Sequence, residues 1–162
     1  SRFKTYISLA LENEPQKNIK AMVIGGHGDT TMIPLTDYAE VNNKPLTDLL
    51  SVDKIAKIAS DTMVGGAALT KLLGTSAWYA PGASVAYLVK SILNDSKETL
   101  PCSVMLNGEY NVKDLCIGVP CIIGRNGLEE IIEINLNDIN KEILLKSVEA
   151  VKNTNLSLKG LI

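Results

Sequence analysis

Apolar residues recur at spacings of three and four positions in four stretches of this chain, a pattern that predicts amphipathic helices. Gly65 and Gly66 fall inside the second stretch. Because a glycine in a helix interior costs about 1 kcal/mol relative to alanine, this pair indicates either a bend or the close approach of a neighbouring group. The predicted helices cover residues 2–13, 52–73, 83–94 and a last stretch that begins after Asn137 or Asn140.

Shorter apolar runs predict β-strands. The run at 19–24 leads into a turn rich in glycine, and a strand near 38–41 precedes Asn42-Asn43, which suits a hairpin turn because asparagine tolerates positive φ. Further strands are predicted over 101–106, 115–123 and 130–135, and a break between helices over 74–82. Runs of helix and runs of strand favour an α+β fold, with an antiparallel sheet packed against long helices. We expect residues 1–162 to form a single domain.

The composition narrows the class of protein. Hydrophobic residues make up 46% and charged residues 21% of the 162 positions, as in an ordinary soluble globular protein. The net charge of -2 gives no electrostatic reason to expect a nucleic acid or an anionic membrane as a partner. The spacing of Cys102, Cys116 and Cys121 is not that of metal ligands, so we predict no metal site. We expect the three thiols to be free, as in a protein of the cytoplasm.

His27 is the only histidine of the chain, and it lies in the segment Gly25-Gly26-His27-Gly28-Asp29. The ordinary pKa of a histidine is near neutrality, so this side chain can both accept and donate a proton. The alternative is a histidine that merely occupies a tight turn. Asp29 is too near in sequence to face the imidazole, so we expect it to cap the turn through a backbone hydrogen bond.

Arg2 is the second candidate for chemistry. Its guanidinium fork suits bidentate binding of a carboxylate, although a solvated arginine on a helix surface gives the same sequence pattern. The chain contains no Gly-x-Gly-x-x-Gly and no phosphate-binding loop. If a nucleotide is used, another domain therefore binds it.

Three segments occur here in a specific combination and order. They are Ser1-Arg2-Phe3-Lys4-Thr5, Gly25-Gly26-His27-Gly28-Asp29-Thr30 with Pro34-Leu35, and Gly74-Thr75-Ser76-Ala77-Trp78-Tyr79-Ala80-Pro81-Gly82. Together they resemble the C-terminal half of the malate dehydrogenases, in the branch most similar to lactate dehydrogenase. The resemblance extends across essentially the whole chain, including Gly118-Val119-Pro120 and the closing helix.

The resemblance implies an enzyme in which His27 exchanges the proton of the substrate hydroxyl while hydride passes to or from NAD. It implies that Arg2 binds the substrate carboxylate through a two-pronged contact, and that His27 and Pro81 lie against the cofactor. It further implies that an N-terminal Rossmann domain binds most of the NAD, and that a carboxylate partner of the histidine lies three residues before the arginine. Both would precede Ser1, so we expect a piece of a longer enzyme that is inactive by itself.

The resemblance also bears on the substrate. Gly26 stands where lactate dehydrogenases tend to carry an acidic residue, and Ala77 where they tend to carry a threonine that lines the pocket. Small, neutral residues at both positions favour malate and oxaloacetate over lactate and pyruvate, and the resemblance implies a homodimer or homotetramer. Two alternatives stay open: the same chemistry on lactate, and a non-catalytic oligomerisation module in which His27 is only structural.

Overall fold

The structure is a computed structural model that describes residues 1–158. Contacts group them into two compact units: the first unit comprises 1–23 and 34–87, and the second unit comprises 24–33 and the described chain from 88 onward. The helices are α1 (Arg2–Ala10), α2 (Val52–Leu73), α3 (Tyr79–Leu93) and α4 (Asp138–Leu156). The strands are β1 (Ile19–Lys20), β2 (Val23–Gly25), β3 (Met32–Pro34), β4 (Glu40–Val41), β5 (Lys44–Pro45), β6 (Glu98–Asn107), β7 (Lys113–Gly124) and β8 (Gly127–Ile131).

The first unit is built from α1, α2 and a small antiparallel sheet with the strand order β1-β4-β5. Asn42 and Asn43 join β4 to β5 with φ of 52° and 60°, which confirms the predicted hairpin turn. One face of α1 packs into the core, because Phe3 and Ile7 lie one helical turn apart and are both buried. The core of this unit consists of Phe3, Ile7, Ile19, Ala39, Val41, Leu46, Leu50, Ile55 and Ile58.

The second unit is built on an antiparallel sheet with β7 at its centre. β6 borders β7 along one side, and on the other side β2 pairs at Gly118 while β8 pairs from Cys121 to Gly124. Helix α4 packs against β7 and buries Leu144 and Val148. The side chains that alternate along the buried face of β7 are Leu115, Ile117, Val119, Cys121 and Ile123.

The predicted α+β fold with antiparallel pairing is confirmed, and so are the bounds of α2 and the start of α4. The Asn137 side chain caps α4 by accepting a hydrogen bond of 2.8 Å from the backbone N–H of Asn140. Helix α2 continues through Gly65 and Gly66 and ends at Gly74, whose φ of 69° is the left-handed conformation that glycine favours. No helix among residues 1–158 has the length and apolarity needed to cross a membrane.

Two predicted bounds near the N-terminus are wrong. Helix α1 ends at Ala10 rather than Asn13, because Glu12 and Asn13 turn the chain with φ of 54° and 68°. The run at 19–24 is not one strand, because β1 and β2 belong to different sheets and the chain leaves strand geometry at 21–22.

Two further predicted bounds are wrong. Helix α3 begins at Tyr79, so Pro81 and Gly82 are helical rather than part of a break. Proline is accepted there because the N–H groups of the first helical turn have no partner within the helix. The last strand, β8, lies over Gly127–Ile131 rather than 130–135.

Candidate functional site

His27 lies in the turn between β2 and β3, which we call the His27 loop (residues 26–31). Residues 27–30 are exposed, whereas Ile24 and Ile33 on the flanking strands are buried. Gly25, the last residue of β2, has a φ of 90°, a conformation that L-residues with a Cβ rarely adopt. Strand β2 thus ends at a glycine, and the turn that follows exposes the His27 imidazole to solvent.

The loop is closed by its own backbone. The N–H of Gly26 donates to the carbonyl of Thr31 at 3.1 Å, and the N–H of Thr31 donates to the carbonyl of Gly28 at 2.9 Å. The Thr31 hydroxyl accepts a hydrogen bond of 2.8 Å from the N–H of Gly28. Thr31 therefore makes the side-chain contact to the turn that we had expected of Asp29, which makes no hydrogen bond or ion pair within residues 1–158.

Ser147 of α4 holds both ends of the loop. Its hydroxyl accepts a hydrogen bond of 2.8 Å from the N–H of Gly26 and donates one of 2.9 Å to the carbonyl of Thr31. Ser147 is 1% exposed. Sequence reasoning missed this residue, because it lies 121 positions after Gly26 and serine is common on helices.

The His27 imidazole is exposed and makes no hydrogen bond or ion pair within the described residues. The loop therefore fixes the backbone of His27 without engaging its ring nitrogens. This arrangement leaves both nitrogens available, one to exchange a proton with a ligand and the other to accept an orienting partner.

The space next to the Cα of Gly26 is occupied by other side chains. A Cβ at this position would lie 2.7 Å from the Thr31 hydroxyl and 3.2 Å from a methyl group of Val151. An acidic side chain, which we noted at the corresponding place in lactate dehydrogenases, would require Thr31 to move. The described structure thus gives a packing reason for a glycine at this position.

Arg2 is held in the first unit by the backbone of α2. Its Nη1 donates to the carbonyl of Thr62 at 2.6 Å and lies 3.5 Å from the carbonyl of Met63. A Cβ on Gly65 would lie 2.9 Å from Cδ of Arg2, and one on Gly66 would lie 2.8 Å from Nη2. The glycine pair therefore marks the close approach of a neighbour, one of the two alternatives that the sequence left open, and that neighbour is Arg2.

This contact limits what the guanidinium can do. The group has five N–H donors, and the helix backbone engages only the Nη1 end of it. The glycines bring the flat group against α2, which restricts its rotation. The remaining donors form a fixed fork of the kind that binds a carboxylate in a bidentate manner.

The other two predicted site residues have no polar side-chain atoms, so they can contribute only shape. Ala77 is half-buried in the segment between α2 and α3, and Pro81 is exposed in the first turn of α3. Within residues 1–158 no group of three or more His, Cys, Asp or Glu side chains is arranged to hold a metal ion.

Comparison with known proteins gives one consistent result. Residues 1–158 match the family described as lactate/malate dehydrogenase, alpha/beta C-terminal domain. The malate dehydrogenase of Flavobacterium johnsoniae is 63% identical over 162 residues, which cover 100% of this chain and 52% of that protein. The chain thus spans about half the length of the curated relatives it matches.

Solved structures agree with the sequence relatives. The malate dehydrogenase of Cryptosporidium parvum superimposes with a TM-score of 0.93 at 40% identity, over 98% of this chain and 52% of that one. A lactate dehydrogenase of Eimeria maxima with NADH and oxamate reaches a TM-score of 0.93 at 37% identity, over 99% of this chain and 51% of that one. The chain belongs to the lactate/malate dehydrogenase family and forms its alpha/beta C-terminal domain.

Proposed function

We propose that this chain is the substrate-binding and catalytic half of an NAD-dependent malate dehydrogenase, which interconverts malate and oxaloacetate. The observation that carries this proposal is the exposed imidazole of His27 on a loop whose backbone is bonded at both ends. The identity of 63% to a malate dehydrogenase across all 162 residues supports the choice of reaction.

His27 is the acid/base residue of the proposed reaction. As malate is oxidised, a ring nitrogen of His27 takes the proton of the C2 hydroxyl, and in the reverse direction it returns that proton to the carbonyl oxygen. Histidine suits both directions because an imidazole can both accept and donate a proton.

Arg2 binds a carboxylate of the substrate. Both malate and oxaloacetate carry two carboxylates, and a fixed guanidinium fork pairs with one of them through two parallel hydrogen bonds. The Thr62 carbonyl and the glycine pair of α2 orient this fork before the substrate arrives. Such pre-orientation reduces the entropy lost on binding.

When bound, NAD would supply the acceptor for the hydride that leaves C2 of malate. We propose that this chain contributes only to the nicotinamide end of NAD. Pro81 offers an exposed apolar surface to a flat ring, and His27 lies exposed at its loop. The chain has no glycine-rich phosphate loop, so we propose that an N-terminal Rossmann domain binds the remainder of the cofactor.

Gly26 and Ala77 favour malate over lactate. Gly26 adds no negative charge against the second carboxylate of malate, and an acidic side chain at position 26 would require Thr31 to move. Ala77 is small, neutral and half-buried. Comparing turnover of oxaloacetate with that of pyruvate tests this preference, and faster reduction of pyruvate would favour the lactate alternative.

The proposed reaction is tested with His27→Gln in the whole enzyme, meaning this chain joined to the N-terminal half that the proposal requires. Glutamine keeps the size and polarity of the side chain but cannot exchange a proton at neutral pH. We expect NAD reduction by malate to fall by about 10²- to 10⁴-fold, the usual contribution of a general acid/base. Thermal stability should not change, because the His27 side chain bonds to no described residue.

The same variant separates the enzyme from a non-catalytic module. We propose that the protein is cytoplasmic, because the three cysteines are free. We propose that it forms a homodimer or homotetramer, because large apolar residues such as Leu72 and Tyr79 are exposed. Loss of turnover with an unchanged oligomeric mass supports catalysis. Full turnover of His27→Gln would favour the module.

Residues 1–162 alone should be inactive, and turnover by them comparable to that of the whole enzyme would contradict the proposed division of the cofactor site.

A further inference from the structure

Ser147 makes an unusual pair of hydrogen bonds for a serine within a helix. A helical serine or threonine commonly bonds the carbonyl four residues earlier in its own helix, as Thr62 bonds Ile58 at 2.7 Å and Thr154 bonds Ala150 at 3.0 Å. The Ser147 hydroxyl instead donates to Thr31, 116 positions away in sequence. Both of its hydrogen bonds go to the His27 loop.

We propose that Ser147 is a positioning residue that sets the placement of the His27 imidazole. The inference rests on the proposed role of His27 as the acid/base. A single hydroxyl joins the N–H of Gly26 to the carbonyl of Thr31, the first and last residues of the loop. Because His27 directly follows Gly26, any movement of that N–H also moves the backbone that carries the imidazole.

The packing beneath the loop leaves little freedom for another arrangement. A Cβ on Gly25 would collide with the Thr31 carbonyl oxygen and lie 3.0 Å from Oγ of Ser147. On the opposite strand, a Cβ on Gly118 would lie 2.7 Å from the carbonyl oxygen of Gly25. The backbone that leads into the loop is therefore held between β7 and the Ser147 hydroxyl.

Removing the hydroxyl should loosen the loop without unfolding it. The direct hydrogen bond from Gly26 to Thr31 remains, and so do the bonds that Thr31 makes to Gly28. The imidazole would then sample positions outside the productive one. A displacement of about 1 Å in a reacting group can reduce a rate by up to about a hundredfold, and we expect a loss of about tenfold from this partial loosening.

The test compares three substitutions in the whole enzyme. Ser147→Ala removes the hydroxyl, Ser147→Thr keeps one, and Ser91→Ala removes a buried helix serine of the same unit that takes no part in the loop's hydrogen bonds. We expect Ser147→Ala to lower kcat about tenfold with KM for malate changed by less than about twofold. Ser147→Thr should recover most of the lost kcat, and Ser91→Ala should retain it.

Two additional readouts separate positioning from general destabilisation. Hydrogen exchange of the Gly26 amide should be about tenfold faster in Ser147→Ala, with unchanged exchange on β7, because only the loop loses a partner. In a double-mutant cycle, Ser147→Ala should cost almost nothing in a His27→Gln background, since a residue that acts through His27 has no effect once that side chain is gone.

The outcomes distinguish this inference from the proposed function. If Ser147→Ala lowers kcat equally in both backgrounds, or leaves kcat and Gly26 exchange unchanged, the positioning role is overturned while the loss caused by His27→Gln keeps the proposed function intact. If His27→Gln alone retains full turnover, the proposed function is overturned, and the inference with it. Non-additive losses together with rescue by threonine support Ser147 as the residue that positions His27.

Discussion

Arg2 and His27 are presented by the fold in opposite ways. The Arg2 side chain is itself held, since its guanidinium donates to the Thr62 carbonyl and lies against Gly65 and Gly66. His27 is held only through its backbone, and its side chain is exposed without a partner among residues 1–158. Each arrangement occurs within its own compact unit.

The difference follows from what each group is proposed to do. A guanidinium that binds a carboxylate keeps one charge state throughout, so contacts that fix it cost nothing during the reaction. An imidazole that accepts and releases a proton has to be stable in both states, and a hydrogen bond to the protein at the reacting nitrogen would favour one of them. Fixing the backbone gives the histidine a defined position and leaves its chemistry free.

The strongest test of the comparison is Arg2→Lys in the whole enzyme. Lysine keeps the positive charge but loses the flat fork and its contact with the glycine pair. Losing a charged hydrogen bond costs about 1.5–3 kcal/mol, so we expect kcat/KM for malate to fall by about 10- to 100-fold, mainly through KM. Steady-state kinetics measure kcat and KM separately, and an unchanged KM would show that the guanidinium fork does not bind substrate.

A smaller effect is expected from Gly66→Ala. Alanine should stabilise the helix by about 1 kcal/mol, but its Cβ would lie 2.8 Å from Nη2 of Arg2 and displace the guanidinium. We expect KM for malate to rise about tenfold while the melting temperature is unchanged or higher. Gly82→Ala in α3 is the control for the effect on stability alone, because a Cβ at that position meets nothing within 4 Å. An unaltered KM in Gly66→Ala would mean that the position of Arg2 does not matter.

On the side of His27, Thr31→Val removes two hydrogen bonds inside the loop, both between the Thr31 hydroxyl and the backbone of Gly28. Valine matches threonine in shape but offers the Gly28 N–H no acceptor, while the contacts of Ser147 remain. We expect kcat to fall by about fivefold, which corresponds to about 1 kcal/mol, and by less than for Ser147→Ala, because the N–H of residue 31 still donates to the Gly28 carbonyl. Thr154→Val, which removes a hydroxyl bonded within its own helix, is the matched control. A larger loss of kcat in Thr31→Val than in Ser147→Ala would show that Thr31 contributes more than Ser147 to the position of His27.

The smallest effect concerns the sheet beneath the loop and is read from thiol labelling. Burial, with a smaller contribution from nearby Cys102, raises the pKa of the Cys121 thiol to about 11, whereas Cys116 is exposed. At pH 8 we expect an alkylating reagent to modify Cys116 first and Cys121 last. Ser147→Ala should not accelerate labelling of Cys121 if loosening is confined to the loop, and rapid labelling there would show that the whole sheet opens.

The same shift makes a prediction about alkaline pH. An unfolded cysteine has a pKa of about 8.5, so between about 8.5 and 11 the unfolded chain loses a proton that the folded chain keeps. The folded state binds more protons in this window, and its stability therefore decreases as the pH rises through it. Chemical unfolding of wild type and Cys121→Ser at several pH values measures the effect, and an identical pH dependence of both would contradict it.

The sequence indicated the larger elements well because their signals are local. The periodicity of α2, the asparagine pair of the hairpin and the cap at Asn137 each depend on residues a few positions apart. Proline and glycine were less informative at 79–82, where a helix starts through both residues. There the first turn of a helix accepts residues that its interior rejects.

The candidate site divides in the same way. The glycine pair in α2 indicated either a bend or a close neighbour, and it could not identify Arg2, because the glycines and Arg2 meet only after α1 packs on α2. Thr31 is near His27, yet Asp29 was the residue expected to bond the turn. Ser147 had no signal at all, because its two bonds go to backbone groups of a distant segment and leave no complementary residue type in the sequence.

The distance between Gly26 and Ser147 also has a consequence for biosynthesis. A ribosome that adds on the order of 5–20 residues per second needs on the order of ten seconds to proceed from one to the other. Throughout that interval the turn around His27 exists without its anchor, since Ser147 lies 121 positions later. The emerging chain thus acquires an ordered His27 loop only when α4 has left the exit tunnel and docked. Translational pauses anywhere between Gly26 and α4 would prolong this immature stage, whereas pauses before Gly26 would not.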